Sequence, residues 1–128
     1  MKKPINSKVH GVLDYSVGAL VAASPWLLGY GRKDNAARWV PVALGMSSVA
    51  YSLFTRYEFG VKPALSMKNH LRLDTAAAIT TAGAPWLFGF AKKTFVPLLV
   101  FGLMELAVVA LTDPSEPHDA RVEKSWFV

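Results

Sequence analysis

The chain has 128 residues, of which 52% are hydrophobic and 18% charged, with a formal net charge of +5 and no cysteine. Soluble domains carry about 25% charged residues, so this chain is apolar for its length, and a single domain over residues 1–128 is expected. The missing cysteine excludes disulfides, thiol catalysis and thiolate metal sites, and no basic stripe interleaved with aromatics points to nucleic acid.

The basic start at residues 1–5 runs into the first apolar element without a cleavage signature, so that element is expected to stay in the mature protein. It is free of Asp, Glu, Lys and Arg over residues 15–31, and Val9, Val12 and Leu13 extend it. A second charge-free run covers 39–55, and a third covers 75–91 with Leu71 and Leu73 before it. The fourth run, 94–112, carries one charge, Glu105. A hydrocarbon core about 30 Å thick takes roughly 17 to 25 helical residues, so four marginal membrane spans are predicted. A soluble four-helix bundle would need a polar face every three or four residues, and 39–54 has none. Beyond them, 114–128 is expected to form a tail, with His118 solvated and Trp126, Phe127 and Val128 available to the interface.

Basic residues set the expected orientation. One side of a four-pass chain holds nine, namely Lys2, Lys3, Lys8, Arg56, Lys62, Lys68, Arg72, Arg121 and Lys124; the other holds five, Arg32, Lys33, Arg38, Lys92 and Lys93. Both termini are therefore expected in the cytoplasm, and the net positive charge is assigned to topology and anionic lipid.

Laying residues 10–30 on 70–90 without gaps gives eight identities in 21 positions. His10 matches His70, Leu13 matches Leu73, Asp14 matches Asp74 and Ala22 matches Ala82; Pro25, Trp26, Leu27 and Gly29 match Pro85, Trp86, Leu87 and Gly89. The second elements align more weakly, Val40-Pro41 with Val96-Pro97 and, after one extra residue, Gly45 with Gly102 and Thr55 with Thr112. The expected fold is all-α, a four-transmembrane-helix bundle of two tandem two-helix repeats, about 9–56 and 69–113. Each unit crosses twice, so the copies share one orientation about a pseudo-two-fold axis along the membrane normal.

The His-x-x-x-Asp start followed by Ser24-Pro25-Trp26-Leu27-Leu28-Gly29 resembles the SPW-repeat family of small bacterial membrane proteins, and the second copy has Ala84-Pro85-Trp86-Leu87-Phe88-Gly89. The resemblance implies a membrane-bound protein, here in a bacterial inner membrane, and brings no activity with it. Ala84 departs from the serine, which puts a shared role for that hydroxyl in doubt.

Pro25 and Pro85 are expected to break the first and third helices, Trp26 and Trp86 to anchor at the interface, and Gly29 and Gly89 to permit the reversal. Ligand stacking on either tryptophan is the alternative. Pro41 and Pro97 are expected in first helical turns. Two stripes at four-residue spacing, His10/Asp14/Gly18/Ala22 and His70/Asp74/Ala78/Ala82, each lie on one helix face. They are expected to pack the first and third helices against each other across the axis.

The structural account of His10, Asp14, His70 and Asp74 is mutual hydrogen bonding that fixes packing. The functional account makes them a divalent-metal, proton-relay or polar-ligand site, with His10 and His70 the candidate metal ligands and a bis-histidine haem a further possibility. No cofactor is specified. Glu105 stands where the first copy has Ser48 and is expected to find partners among Tyr15, Ser16, Thr80 and Thr81. No serine sits in a nucleophile elbow and no glycine-rich phosphate loop is present, so an enzyme is not expected. The favoured class is a structural or partner-binding membrane module, with lipid and a second copy or another membrane protein as partners. The alternative is a small-molecule, metal or proton handler using the His/Asp cluster and Glu105.

Overall fold

The computed structural model describes residues 3–32 and 34–117. The expectations for Lys2, Lys33, His118, Arg121, Lys124 and Trp126 to Val128 lie outside the described residues. Four helices follow in order: α1 (Ser7–Leu27), α2 (Asn35–Leu53), α3 (Met67–Leu87) and α4 (Val96–Leu111).

Each of the first three starts on a side-chain cap, which satisfies an amide that the helix itself leaves unbonded. The Asn6 side chain accepts from the Val9 N–H at 2.9 Å and the Ser66 hydroxyl from the Asn69 N–H at 3.2 Å. Asp34 accepts from Ala36 and Ala37, and these amides together with the Lys93 ammonium, first among the causes, hold its carboxyl below the usual carboxylate range. Because Asp34 starts α2 at Asn35, Pro41 lies inside that helix, past the first turn where it was expected; Pro97 does fall in the first turn of α4.

Pro25 and Pro85 do not break their helices, which run on to Leu27 and Leu87. A proline near a C-terminus loses only its own amide bond, and the chain stops where Gly29 and Gly89 turn to φ of 75° and 77°. That left-handed geometry suits glycine, and it brings the Gly31 N–H to the Pro25 carbonyl at 2.7 Å and the Phe90 N–H to the Pro85 carbonyl at 2.8 Å.

The small-residue stripes pack within each repeat, not between α1 and α3 as expected. A Cβ at Gly45 of α2 would stand 2.6 Å from the Ala22 nitrogen of α1, and one at Gly102 of α4 would stand 2.5 Å from the Ala82 nitrogen of α3. The closest helix pairs are accordingly α1 with α2 and α3 with α4. Between the repeats α1 and α3 meet by side chains, because the longer His10, Asp14, His70 and Asp74 hold their backbones apart.

At the end where α1 and α3 begin, the repeats interlock by short pairings. Ile5 pairs with Thr112 at the end of α4, and Leu65 pairs with Thr55 at the end of α2. The apolar core lies at the opposite end, around Val21, Tyr30, Ala37, Ala84, Phe90 and Leu98. There the Ser24 hydroxyl meets the Tyr30 hydroxyl, while the second copy has Ala84 and Phe90, neither of which needs a partner.

Among the described residues no helix is long and apolar enough to cross a membrane. The four predicted spans are present as helices, but α4 has only 16 residues, and α1 and α3 carry the His and Asp residues of the cluster.

Candidate His/Asp site

His10 and Asp14 stand one turn apart on α1, as His70 and Asp74 do on α3, so each helix presents a ring and a carboxyl to the same point. All four residues are buried. Their contacts are reciprocal. His10 Nε2 lies 2.8 Å from Asp74 Oδ2 of the other repeat and 3.1 Å from Asp14 Oδ1 of its own. His70 Nε2 lies 2.9 Å from Asp14 Oδ2 and 3.1 Å from Asp74 Oδ2. The rings meet edge to face with centroids 5.3 Å apart.

Two threonines that no site expectation included set the tautomers. Thr55 donates its hydroxyl proton to the Tyr51 carbonyl at 2.8 Å, and Thr112 donates to the Val108 carbonyl at 2.6 Å. A hydroxyl has one proton, so each threonine oxygen is left to accept. His70 Nδ1–H therefore donates to Thr55 at 2.7 Å, and His10 Nδ1–H donates to Thr112 at 2.8 Å. Each histidine takes its threonine from the other repeat.

With Nδ1 protonated, Nε2 of a neutral ring is a bare lone pair facing carboxylate oxygens. Each contact is attractive only with a positive centre between nitrogen and oxygen, carried by either side. His70 Nε2 is also orphaned by angle, for it forms no hydrogen bond although two carboxylate oxygens are within 3.1 Å.

Tyrosines complete the carboxylates. Tyr57, from the segment after α2, donates to Asp14 Oδ2 at 2.8 Å, and burial, helped by the Asp14 charge, pushes its phenol well above the ordinary value. Tyr51 of α2 donates to Asp74 Oδ1. Both tyrosine rings lie against His70, at 5.1 and 5.3 Å between centroids.

The second repeat has Val108 where the first has Tyr51, and the space left is a cavity of about 30 Å³ beside His10, Asp14 and Asp74, with Glu105, Ser48 and Met104 on its other walls. Glu105 is thus brought to the cluster, while its expected neighbours are not: Tyr15 donates to the Phe59 carbonyl, Thr80 to the Ala76 carbonyl, and Ser16 and Thr81 do not line this space. The Glu105 carboxyl forms no hydrogen bond among the described residues. A bis-histidine haem does not fit, since both Nε2 atoms converge on the same two carboxylates and the cavity holds about two waters.

Trp26 and Trp86 stand apart from this cluster, beyond the core. Both are exposed, Trp26 edge-on to Trp39 at 6.0 Å and Trp86 against Phe95 at 5.4 Å. The ion pair of Lys93 with Asp34, at 3.1 Å, joins the repeats at the same end.

A family model described as the SPW repeat domain matches residues 8–112. No curated protein and no solved structure matches the chain.

Proposed function

This chain belongs to the SPW repeat family, and from that premise we propose that it is an integral membrane module whose two repeats are tied by the His/Asp/Thr cluster and whose outer faces meet lipid and a partner protein or second copy. The observation that carries this is the direction of the side chains. Leu20 of α1, Met46 of α2, Ile79 of α3 and Val100 and Leu103 of α4 point outward and exposed, whereas the mid-helix charges Asp14, Asp74 and Glu105 turn toward the cluster and its cavity. The inward Asp14 and Asp74 lower the apolarity of α1 and α3, but on this reading lipid meets the outward face only. The 16 residues of α4 span about 24 Å, a deficit that bilayer thinning and interfacial aromatics accommodate. Exposed Trp26, Trp39 and Trp86 at one end supply such aromatics.

On this account the pseudo-two-fold axis runs along the membrane normal and both termini lie on the cytoplasmic side with the cluster. Alkaline carbonate washing of membranes from expressing cells tests it: the chain is expected to stay in the pellet and to leave only with detergent, and a reporter fused after Val128 is expected to be active in the cytoplasm. Release into the carbonate supernatant refutes the membrane assignment, and a reporter active only on the far side refutes the orientation. The second reading, a handler of metal, protons or a small polar ligand, is favoured by the Glu105-lined cavity against the cluster.

A further inference from the structure

We propose that His10, Asp14, His70 and Asp74 form a buried site for one divalent transition-metal ion of the zinc type, bound through both Nε2 atoms and one oxygen of each carboxylate. This goes beyond the membrane-module reading and stands or falls separately from it.

Three observations converge. The four side chains each offer one ligand atom, and those atoms all lie within 4.8 Å of one another. Two imidazoles and two carboxylates are a donor set suited to zinc and its neighbours, and two carboxylates neutralise a divalent charge that no buried site could otherwise hold. Next, the threonines fix both rings with Nδ1–H outward and the Nε2 lone pair inward, the orientation of metal-ligating histidines, whose other ring N–H is held by an acceptor. Last, His70 Nε2 is fully buried, aimed into the cluster and without an aligned hydrogen bond, an atom a metal would satisfy.

The positive centre that each Nε2 needs against the carboxylates is then supplied once, by the ion, in place of a proton on each contact. Bonds of about 2.0 to 2.2 Å in tetrahedral array separate ligand atoms by about 3.4 Å. The present nitrogen–oxygen separations of 2.8 to 3.1 Å are shorter than this, and binding requires those contacts to open by a few tenths of an ångström. The adjoining cavity, with Glu105 on its wall, gives His10, Asp14 and Asp74 space to move into.

The test uses the full chain in detergent, stripped with a chelator and then given Zn²⁺ or Co²⁺ alone. One ion per chain is expected after gel filtration, together with the intense visible bands of tetrahedral Co²⁺. His10→Gln and His70→Gln are expected to lower affinity at least 100-fold, and His118→Ala to leave it unchanged. Should the glutamine variants fail to fold, Thr55→Val and Thr112→Val carry the comparison, with affinity expected to fall about 10- to 100-fold as the outer hydrogen bond to the ligand is lost. Absence of stoichiometric metal in the folded wild type overturns the proposal. So does a binding stoichiometry that survives in a folded His10→Gln/His70→Gln chain or vanishes in His118→Ala.

Discussion

At Thr112 the hydroxyl proton is committed to the Val108 carbonyl, which obliges the oxygen to accept from His10. Thr112→Val keeps the shape and removes that acceptor, stranding a buried N–H. The cost of such a stranded donor is about 1 to 3 kcal/mol, and Thr112→Ser, which restores the oxygen, is expected to recover most of it. Chemical unfolding of the two variants beside wild type in the same detergent decides the matter: equal midpoints for valine and serine would remove the threonine from the cluster's account. The histidines and aspartates were visible in the sequence because both copies carry them at the same four-residue spacing at the start of an apolar run. Thr55 and Thr112 were visible only as an alignment of the two second helices, since a threonine at a helix end has no charge to mark it. Tyr51 and Tyr57 were not visible at all, for the Tyr51 hydroxyl reaches Asp74 only through the packing of α2 on α3, and the Tyr57 hydroxyl reaches Asp14 only through the path of the chain after α2.

The four helices were legible from the charge-free runs, but how they pair was not, because a glycine/alanine stripe shows that a backbone can approach closely without showing which one does. Gly45 against Ala22 and Gly102 against Ala82 answer this within each repeat. Gly45→Ala forces α1 and α2 apart and is expected to destabilise by about 1 to 3 kcal/mol, the usual cost of overpacking. Gly83 in α3 is the internal contrast, for a Cβ there meets nothing within 4 Å. Gly83→Ala is expected to be neutral or to stabilise by about 0.5 to 1 kcal/mol through helix propensity alone. Thermal unfolding that ranks the two variants the other way would mean that α1 and α2 do not owe their closeness to the missing side chain. Helix ends were partly legible: the proline in each Pro-Trp element drew attention as the breaker, whereas the stop is made by Gly29 and Gly89, the residues expected to permit the reversal, which take positive φ.

Across the whole molecule, every tie of a histidine that crosses between repeats has a counterpart crossing the other way: His10 to Thr112 and Asp74, His70 to Thr55 and Asp14. A single repeat therefore carries one ring, one carboxyl and one threonine, and the shorter contacts of the ring are with the carboxyl and threonine of the other copy. Residues 1–66 contain His10, Asp14, Thr55, Tyr51 and Tyr57, and two such chains related by a two-fold can rebuild both halves of the network. Symmetric pairing is the common route by which one surface satisfies itself. The rebuilt cluster would have a tyrosine at both places where the natural chain has Tyr51 and Val108, closing the cavity and dispensing with Glu105. The prediction is that residues 1–66, expressed alone and solubilised in detergent, form a dimer by light scattering and chemical crosslinking, and that His10→Ala shifts it to monomer, since breaking a buried ionic tie costs about 3 to 5 kcal/mol at each of two equivalent positions. A wild-type fragment that is a folded monomer would show that one repeat can satisfy its own histidine and aspartate, and the reciprocal ties would then be a consequence of duplication instead of the force that holds the two copies together.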